Sequence, residues 1–324
     1  MKGLTDIDGL WVGHVSDYQA LTGCTVILCE QGAVGGIDIR GFASSTRSID
    51  AFRPEHLVEK VHGIVLAGGS AFGLDAVTGV TRYLERRGVG FDTRAARVPI
   101  VAGAILYDLA LGSSGVRPTA EMGEAAAEAA TDGPVKEGSV GAGTGATVGK
   151  LFGIEQAMKG GLGCATVEIS GGARVSALAV VNAFGDVLEP TTGQLLAGAR
   201  VAADSLQLAD MAACMKRGQV RRGFGLKNRH TNTTLMVVAT NARLTKVEVS
   251  QLAAMAQAGC ARTISPAHTT FDGDLVFSLS AGEAQADLNA LGVAAAEAVA
   301  SAIVRGVRFA RSLGGVPSLA TPSA

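Results

Sequence analysis

The order of the periodic segments constrains this chain more than any single residue does. Apolar, β-branched runs at 25–28, 64–66, 99–101, 166–169, 175–181, 235–238 and 275–279 prefer a pleated, buried backbone. Helical spacing or helix-forming composition covers 53–60, 74–87, 121–131, 246–257 and 288–309. Strands and helices are mixed without a strict strand–helix–strand rhythm. A doubly wound parallel sheet needs that rhythm, so the order favours sheets packed together under layers of helix, an α/β (α+β) arrangement. No shift in composition marks a boundary, and the chain reads as one domain over 1–324. Gly171-Gly172 suits a hairpin between the fourth and fifth strands. Residues 194–216 read as mixed helix and loop, 217–230 as an exposed basic loop, and the tail after Gly314 as frayed.

Composition excludes several functions. Apolar residues make up 48% and there are 44 glycines, so the core is large and the backbone turns often. Aromatic residues are 4%, too few for a stacking platform that binds carbohydrate or single-stranded nucleic acid. Net charge is −1 with no basic stripe, so no nucleic-acid partner is expected. Cys24, Cys29, Cys164, Cys214 and Cys260 are odd in number and fit no zinc or disulfide spacing. Reduced thiols in a cytoplasmic protein are the expectation. The N-terminus lacks an apolar core of signal-peptide length, and Glu297, Arg305 and Arg308 interrupt the Ala-rich C-terminal part, so no membrane span is expected.

Glycine-rich stretches invite phosphate-loop readings that fail on spacing. In 138–150, a Walker loop needs Gly where Thr144 sits and Ser or Thr where Leu151 follows Lys150. Gly141-Ala-Gly143-Thr-Gly145-Ala146 fits a loose dinucleotide pattern, but no strand precedes it. The stretch leaves a backbone able to approach another group closely, and it delivers Lys150 among apolar neighbours. Gly68-Gly69-Ser70-Ala71-Phe72-Gly73 has the wrong spacing for a nucleophile elbow. A serine triad also needs a partnered histidine, and none of His14, His56, His62, His230 and His268 sits in a convincing frame.

Two polar groups at strand entrances carry more. Asn232-Thr233-Thr234 opens the apolar run 235–238, a good place for a fixed hydroxyl nucleophile, although ordinary strand-start residues look the same. Asp272-Gly273-Asp274 opens the run 275–279. It reads on its face as a turn. If it enters the strand, the two carboxylates share one face about 6.6 Å apart along the backbone, and could fix a small cation such as an α-amine.

The ordered set of these segments resembles a known family. Leu66-Ala-Gly-Gly-Ser-Ala-Phe-Gly-Leu-Asp-Ala76, Tyr107, Gly141 to Lys150, Val180-Val-Asn182, Asn232-Thr-Thr-Leu235 and Asp272-Gly-Asp274 occur in the order expected, after the opening Leu4-Thr-Asp-Ile-Asp-Gly-Leu-Trp-Val-Gly-His14. Over nearly its whole length the chain resembles the L-aminopeptidase/D-esterases, β-aminopeptidases and nylon-oligomer hydrolases. The resemblance implies an αββα four-layer sandwich of the N-terminal-nucleophile type, similar to ornithine acetyltransferase. It implies a precursor that cuts itself between Asn232 and Thr233, giving a large chain 1–232 and a small chain 233–324. Thr233 then becomes the nucleophile, Asn182 helps to hold the oxyanion, Lys150 and Tyr107 line the site, and Asp272 and Asp274 hold the Thr233 amine. The aminopeptidase branch usually has a Ser nucleophile, with Ser and Glu where this chain has Asp272 and Asp274. Thr with Asp-Gly-Asp is more similar to the nylon-oligomer branch.

The chemistry implied is coherent. A Thr hydroxyl needs an adjacent base, and a free N-terminal amine, with an ordinary pKa of about 7.7–8.0, is one. Inside an intact chain that nitrogen is an amide, so activation is tied to backbone cleavage. The substrate expected is a small amide or short peptide, with no cofactor and no metal, acted on by a homo-oligomer of cleaved protomers. Two other functions remain open at this point: an acyltransferase, with an amine replacing water, and a non-catalytic glycine-rich binding scaffold.

Overall fold

A computed structural model of the chain describes residues 1–219 and 232–319. In chain order its main elements are β1 (Trp11–Asp17), β2 (Thr22–Ile39), β3 (Lys60–Ala67), α1 (Ala76–Arg86), β4 (Val101–Ile105), α2 (Ala120–Glu128), β5 (Leu162–Glu168), β6 (Arg174–Asn182), α3 (Met211–Lys216), β7 (Thr233–Ala242), α4 (Lys246–Thr263), β8 (Leu275–Ala284) and α5 (Leu288–Arg308). The hydrogen-bonded order is β5-β6-β7-β8-β2-β3-β4, with β1 beside β2 and the two-residue strand Thr46–Arg47 beside β4. The β7–β8 and β3–β4 pairs are parallel; β6–β7, β8–β2 and β2–β3 are antiparallel.

This single ladder packs as two layers because β2 serves both. Its first part pairs with β3, from Cys24↔Ala67 to Leu28↔Gly63, and its second part pairs with β8, from Val34↔Ser280 to Ile39↔Leu275. The β2–β3 register slips between Leu28 and Ala33, where the path turns over. Alternating side chains then define three cores. Leu235 and Val237 of β7 bury against Ile27, Ile64, Leu66 and Ala104 of the other layer. Met236 and Val238 face Leu252 and Ala256 of α4 and Val299 and Ile303 of α5. On the far side Val26 and Val65 face Val77 and Val80 of α1 and Ala126 of α2. The layers therefore run helix, sheet, sheet, helix, as the resemblance implies.

Several local expectations change. Residues 53–60 form no helix; a 3-10 turn at Ile49–Phe52 is followed by an irregular segment. Lys246 Nζ explains it, since it takes the carbonyls of Ala51, His56 and Val58, which a helix would direct along its own axis. The tail is packed as far as Ser318, not frayed: Val316 buries with Leu21 and Leu111, and the Pro317 carbonyl accepts the Lys159 N–H at 2.8 Å. The hairpin through Gly171-Gly172 forms, pairing Glu168 with Arg174. By length and composition alone α5 could cross a membrane, but 72% of its most apolar window is buried inside this fold. Residues 220–230 of the expected basic loop, His230 among them, lie outside the described residues.

Candidate active site

Strand pairing assembles the site at one end of β6, β7 and β8. Asn182, the last residue of β6, stands directly opposite Thr233, the first residue of β7. Residues so paired in an antiparallel ladder have Cβ atoms about 4.5–5.5 Å apart. On the other side of β7 the parallel pairing with β8 continues backwards past the strand start, matching Asn232 with Asp272. Asn232 N–H donates to the Phe271 carbonyl at 2.9 Å, and Gly273 N–H donates to the Asn232 carbonyl at 2.7 Å. The peptide bond between Asn232 and Thr233 is thus an ordinary ladder bond whose carbonyl already faces a fixed N–H donor.

The Thr233 hydroxyl lies against that bond, donating to the Asn232 carbonyl at 2.5 Å. Asn232 and Thr233 are both buried, at 0% and 1% exposure, so no bulk water competes for the hydroxyl. Gly273 leaves the room for it. A Cβ at Gly273 would stand 2.8 Å from Thr233 Oγ1 and equally close to the Ala43 carbonyl, so only glycine fits without displacement. The residue that looked like the middle of a turn is a donor and a gap.

Asn182 is held by everything around it. Its Oδ1 accepts the Thr147 N–H at 3.0 Å and Lys150 Nζ at 2.7 Å, and its Nδ2 donates to the Tyr107 carbonyl at 3.2 Å. Lys150 Nζ also donates to the Asn182 carbonyl at 3.0 Å. The ammonium of Lys150 is buried yet directed at Asn182, which stands across the ladder from Thr233. Gly149 delivers it: its φ is 74°, and a Cβ there would stand 1.9 Å from the Ala199 nitrogen. The Gly149 and Lys150 N–H groups pin this turn to the Gly185 and Phe184 carbonyls at 3.0 and 2.9 Å. Tyr107, half-buried, enters through its backbone.

Both carboxylates flank the Thr233 start, and neither belongs to an isolated turn. Asp272 accepts the Phe184 N–H at 3.0 Å on Oδ1, and the Thr269 hydroxyl at 2.5 Å and N–H at 3.2 Å on Oδ2. Asp274 accepts the Thr234 N–H at 2.7 Å on Oδ1, and the backbone N–H and Nδ1 of His268, each at 3.1 Å, on Oδ2. Each is 1% exposed. Burial first, then the Asp274 charge, pushes the Asp272 carboxyl well above the ordinary carboxylate range. An additional positive charge at this end of β7 would be stabilised by the pair. The amine that the sequence reading assigns to them does not exist in the uncut chain, and in this state the ladder gives Asp274 the nitrogen one residue further on.

A second buried layer supports these residues. Lys159, fully buried, donates to the Thr144 and Ala146 carbonyls at 2.9 and 2.6 Å and pairs in a short ladder with Thr147. Burial pushes its ammonium down to about 7, against the pull of Asp108. Asp108 in turn accepts the Gly69 N–H and the Thr22 hydroxyl, each at 2.7 Å, and burial raises its carboxyl. The glycine run 68–73 therefore docks on a carboxylate of the protein itself. Sequence reasoning missed Gly273 as a donor, Thr147 as the group that turns Asn182, and His268 as a partner of Asp274. No spacing signals any of them, because each contact crosses between segments.

Comparisons with known proteins show the family and the fold. The sequence model of peptidase family S58 matches residues 2–319. A protein of Mycobacterium tuberculosis (strain H37Rv) named an uncharacterized aminopeptidase is 38% identical, over 98% of this chain and 97% of the relative. A 6-aminohexanoate-oligomer endohydrolase of Kocuria sp. (strain KY2) is 30% identical, over 86% of this chain and 74% of the relative. The solved L-aminopeptidase D-Ala-esterase/amidase of Ochrobactrum anthropi, described as a variant of the Ntn hydrolase fold, superposes with a TM-score of 0.70 at 20% identity, covering 98% of this chain and 88% of that one.

Proposed function

Because this chain belongs to peptidase family S58 and is a hydrolase of amide bonds, we propose that it first cuts its own backbone between Asn232 and Thr233 and then uses Thr233 on external amides. One observation carries the reading: the buried Thr233 hydroxyl lies 2.5 Å from the Asn232 carbonyl oxygen, which Gly273 N–H already holds at 2.7 Å. In the first stage Thr233 Oγ attacks the Asn232 carbonyl carbon. The Gly273 N–H stabilises the oxyanion that forms on the carbonyl oxygen. The C–N bond breaks, the nitrogen takes up the proton that Oγ gives up and becomes the Thr233 amine, and an ester joins Asn232 to Thr233 Oγ. Water opens that ester, leaving an Asn232 carboxylate and a free Thr233. The products are residues 1–232 and 233–324.

In the second stage the new amine serves as base for its own hydroxyl, which attacks a substrate carbonyl. Asn182, turned by Thr147 and Lys150, supplies a donor across the ladder from the reacting atom, and Lys150 Nζ adds its charge behind it. Tyr107 fixes the other end of that amide. Asp272 and Asp274 hold the Thr233 amine once cleavage frees it to move. A preset oxyanion donor is typically worth about 2.7–4 kcal/mol in the transition state. The substrate class is a short peptide or an oligomer of amino-acid amides, supported by relatives named for aminopeptidase and for 6-aminohexanoate-oligomer hydrolysis. The proposal includes a cytoplasmic setting, supported by five buried unpaired cysteines.

Intact-mass analysis of freshly purified protein tests the first stage, with release of free amine from a short ω-amino amide oligomer and from a β-amino-acid amide testing the second. Two fragments that meet at Asn232–Thr233, and a Thr233→Ala chain that stays whole and inactive, are expected. An uncut chain with full activity on amides overturns the reading. Cleavage that persists in Thr233→Ala assigns the cut to another group, such as the Asn232 side chain.

A further inference from the structure

Behind the entrance of β7, on the side away from Asn182, three different ligand types converge. Cys260 of α4, His268 of the loop before β8, and Asp274 each offer one ligand atom, and those atoms all lie within 4.8 Å of one another. The His268–Asp274 edge is 3.1 Å between Nδ1 and Oδ2. In a tetrahedral zinc site with bonds of about 2.0–2.3 Å, neighbouring donors stand a little over 3 Å apart, so that edge is already at ligand spacing. The other two edges need only small side-chain movement.

Among the described residues, the surroundings lack the charge that the donors call for. Cys260 and Asp274 are buried, at 0% and 1% exposure, and Asp272 is buried beside them. Among the described ion pairs, His268 is the only partner that either carboxylate has. Burial, then the two carboxylates, hold the Cys260 thiol in its neutral form; a coordinated dication would release that proton to solvent. A second observation is independent of these. Thr234 lies on the β7 face that Met236 and Val238 turn towards the core containing Cys260. Its hydroxyl is fully buried and has no hydrogen-bond partner among the described residues. His268 is partly exposed, at 23%, which opens a path for an ion from solvent. Its φ of 54° is one that a non-glycine residue keeps only when its contacts demand it.

We propose that Cys260 Sγ, the His268 imidazole and Asp274 Oδ2 form a three-ligand site for a thiophilic divalent cation of the zinc class, behind the nucleophile. Thiolate, imidazole and carboxylate together suit that class and not a hard ion such as Mg2+, which keeps an all-oxygen shell. The ion takes Asp274 Oδ2 and leaves Oδ1 on the Thr234 N–H. Its charge then opposes the hold of Asp274 on the Thr233 ammonium, so the site is inhibitory. That consequence rests on the role proposed above for Asp274; the binding itself does not.

Co2+ is the probe. The purified, chelator-treated protein is titrated under non-thiol reductant and read by the thiolate-to-cobalt charge-transfer band in the near ultraviolet. One equivalent with a saturable band is expected, displaced by Zn2+. Cys260→Ala should abolish the band, and Cys214→Ala, in a different core, should leave it intact. His268→Asn should weaken binding by at least about tenfold, since even outer-shell partners commonly cost that much. Should Cys260→Ala fail to fold, His268→Asn, on a partly exposed loop, decides alone. No band at saturating Co2+, or binding of equal strength in either variant, overturns the site. In the hydrolysis assay Zn2+ should slow the parent and spare Cys260→Ala. Binding without inhibition ends the link to Thr233 while keeping the site. A parent with no hydrolysis at all sinks the proposed function, and the cobalt titration still decides the metal.

Discussion

Asp272 and Asp274 differ in what holds them, and that difference predicts different variants. Asp272 ties three segments together through Phe184, Thr269 and its own ladder position beside Asn232. Asp274 ties β7 to His268 through a single nitrogen, that of Thr234. Asp274→Asn should therefore leave the fold in place and lower turnover on the order of a hundredfold through lost orientation of the Thr233 amine. Asp272→Asn should lower turnover and thermal stability together. Turnover and melting temperature of each variant check this, and two variants within a few-fold of the parent would return both carboxylates to a plain turn. Asp186 carries the pH prediction. Burial first, then Asp210, raises its carboxyl from 3.8 to about 6, although its oxygens accept the Ala199 and Met211 N–H groups. A carboxyl raised on folding binds its proton more tightly in the folded state. Its contribution is complete below pH 3.8 and is lost as pH rises through about 6. The parent should lose on the order of 2–3 kcal/mol across that window relative to Asp186→Asn, read by denaturant titration at a series of pH values.

At the level of elements, the site depends on how firmly α4 and α5 press β7 into register. Met236 and Val238 point at these helices, while Leu235 and Val237 point at the opposite layer. A slip of one residue would exchange the two faces and move Thr233 away from Asn182. Ile303 of α5 is fully buried in the helix-side core. Ile303→Ala should cost about 2–5 kcal/mol through lost burial and the cavity left behind. Self-cleavage should slow in proportion to the folded population, with no change in the position of the cut. A calorimetric scan and a time course of fragment masses check both, and a shifted cut site would show that α5 sets register and not only stability.

For the whole molecule, the sandwich leaves large apolar side chains outside. Phe42, Leu57, Phe72 and Val293 are each at least 60% exposed. Apolar surface of this kind is commonly covered between symmetric copies of a chain. An assembly of at least two cleaved protomers is expected, and a sedimentation mass of one protomer at micromolar concentration would refute it. The small chain would not leave after cleavage, because β7 lies between β6 of the large chain and β8 of its own, with α4 and α5 packed on it. Gel filtration without denaturant should therefore show one species, and denaturing electrophoresis two.

Most element types and the candidate site residues were legible in the sequence, the helix expected over 53–60 excepted. Local chemistry suffices for that: β-branched runs choose strands, Thr245 with Glu248 caps α4, and polar residues at strand entrances mark themselves. The resemblance supplied the roles of Thr233, Asn182, Lys150, Tyr107, Asp272 and Asp274, and the layering. The sequence did not show that 53–60 wraps around Lys246, that β2 runs for 18 residues through both layers, or that the tail packs on Leu21. These depend on partners from roughly 26 to 295 residues away, and propensity reports only near neighbours. The contacts of Gly273, Thr147 and His268 appear only in the folded chain. A backbone N–H comes to face the Asn232 carbonyl, and a histidine becomes the partner of a carboxylate, when strand pairing brings segments distant in sequence to hydrogen-bonding distance; that proximity belongs to the ladder, not to any residue type.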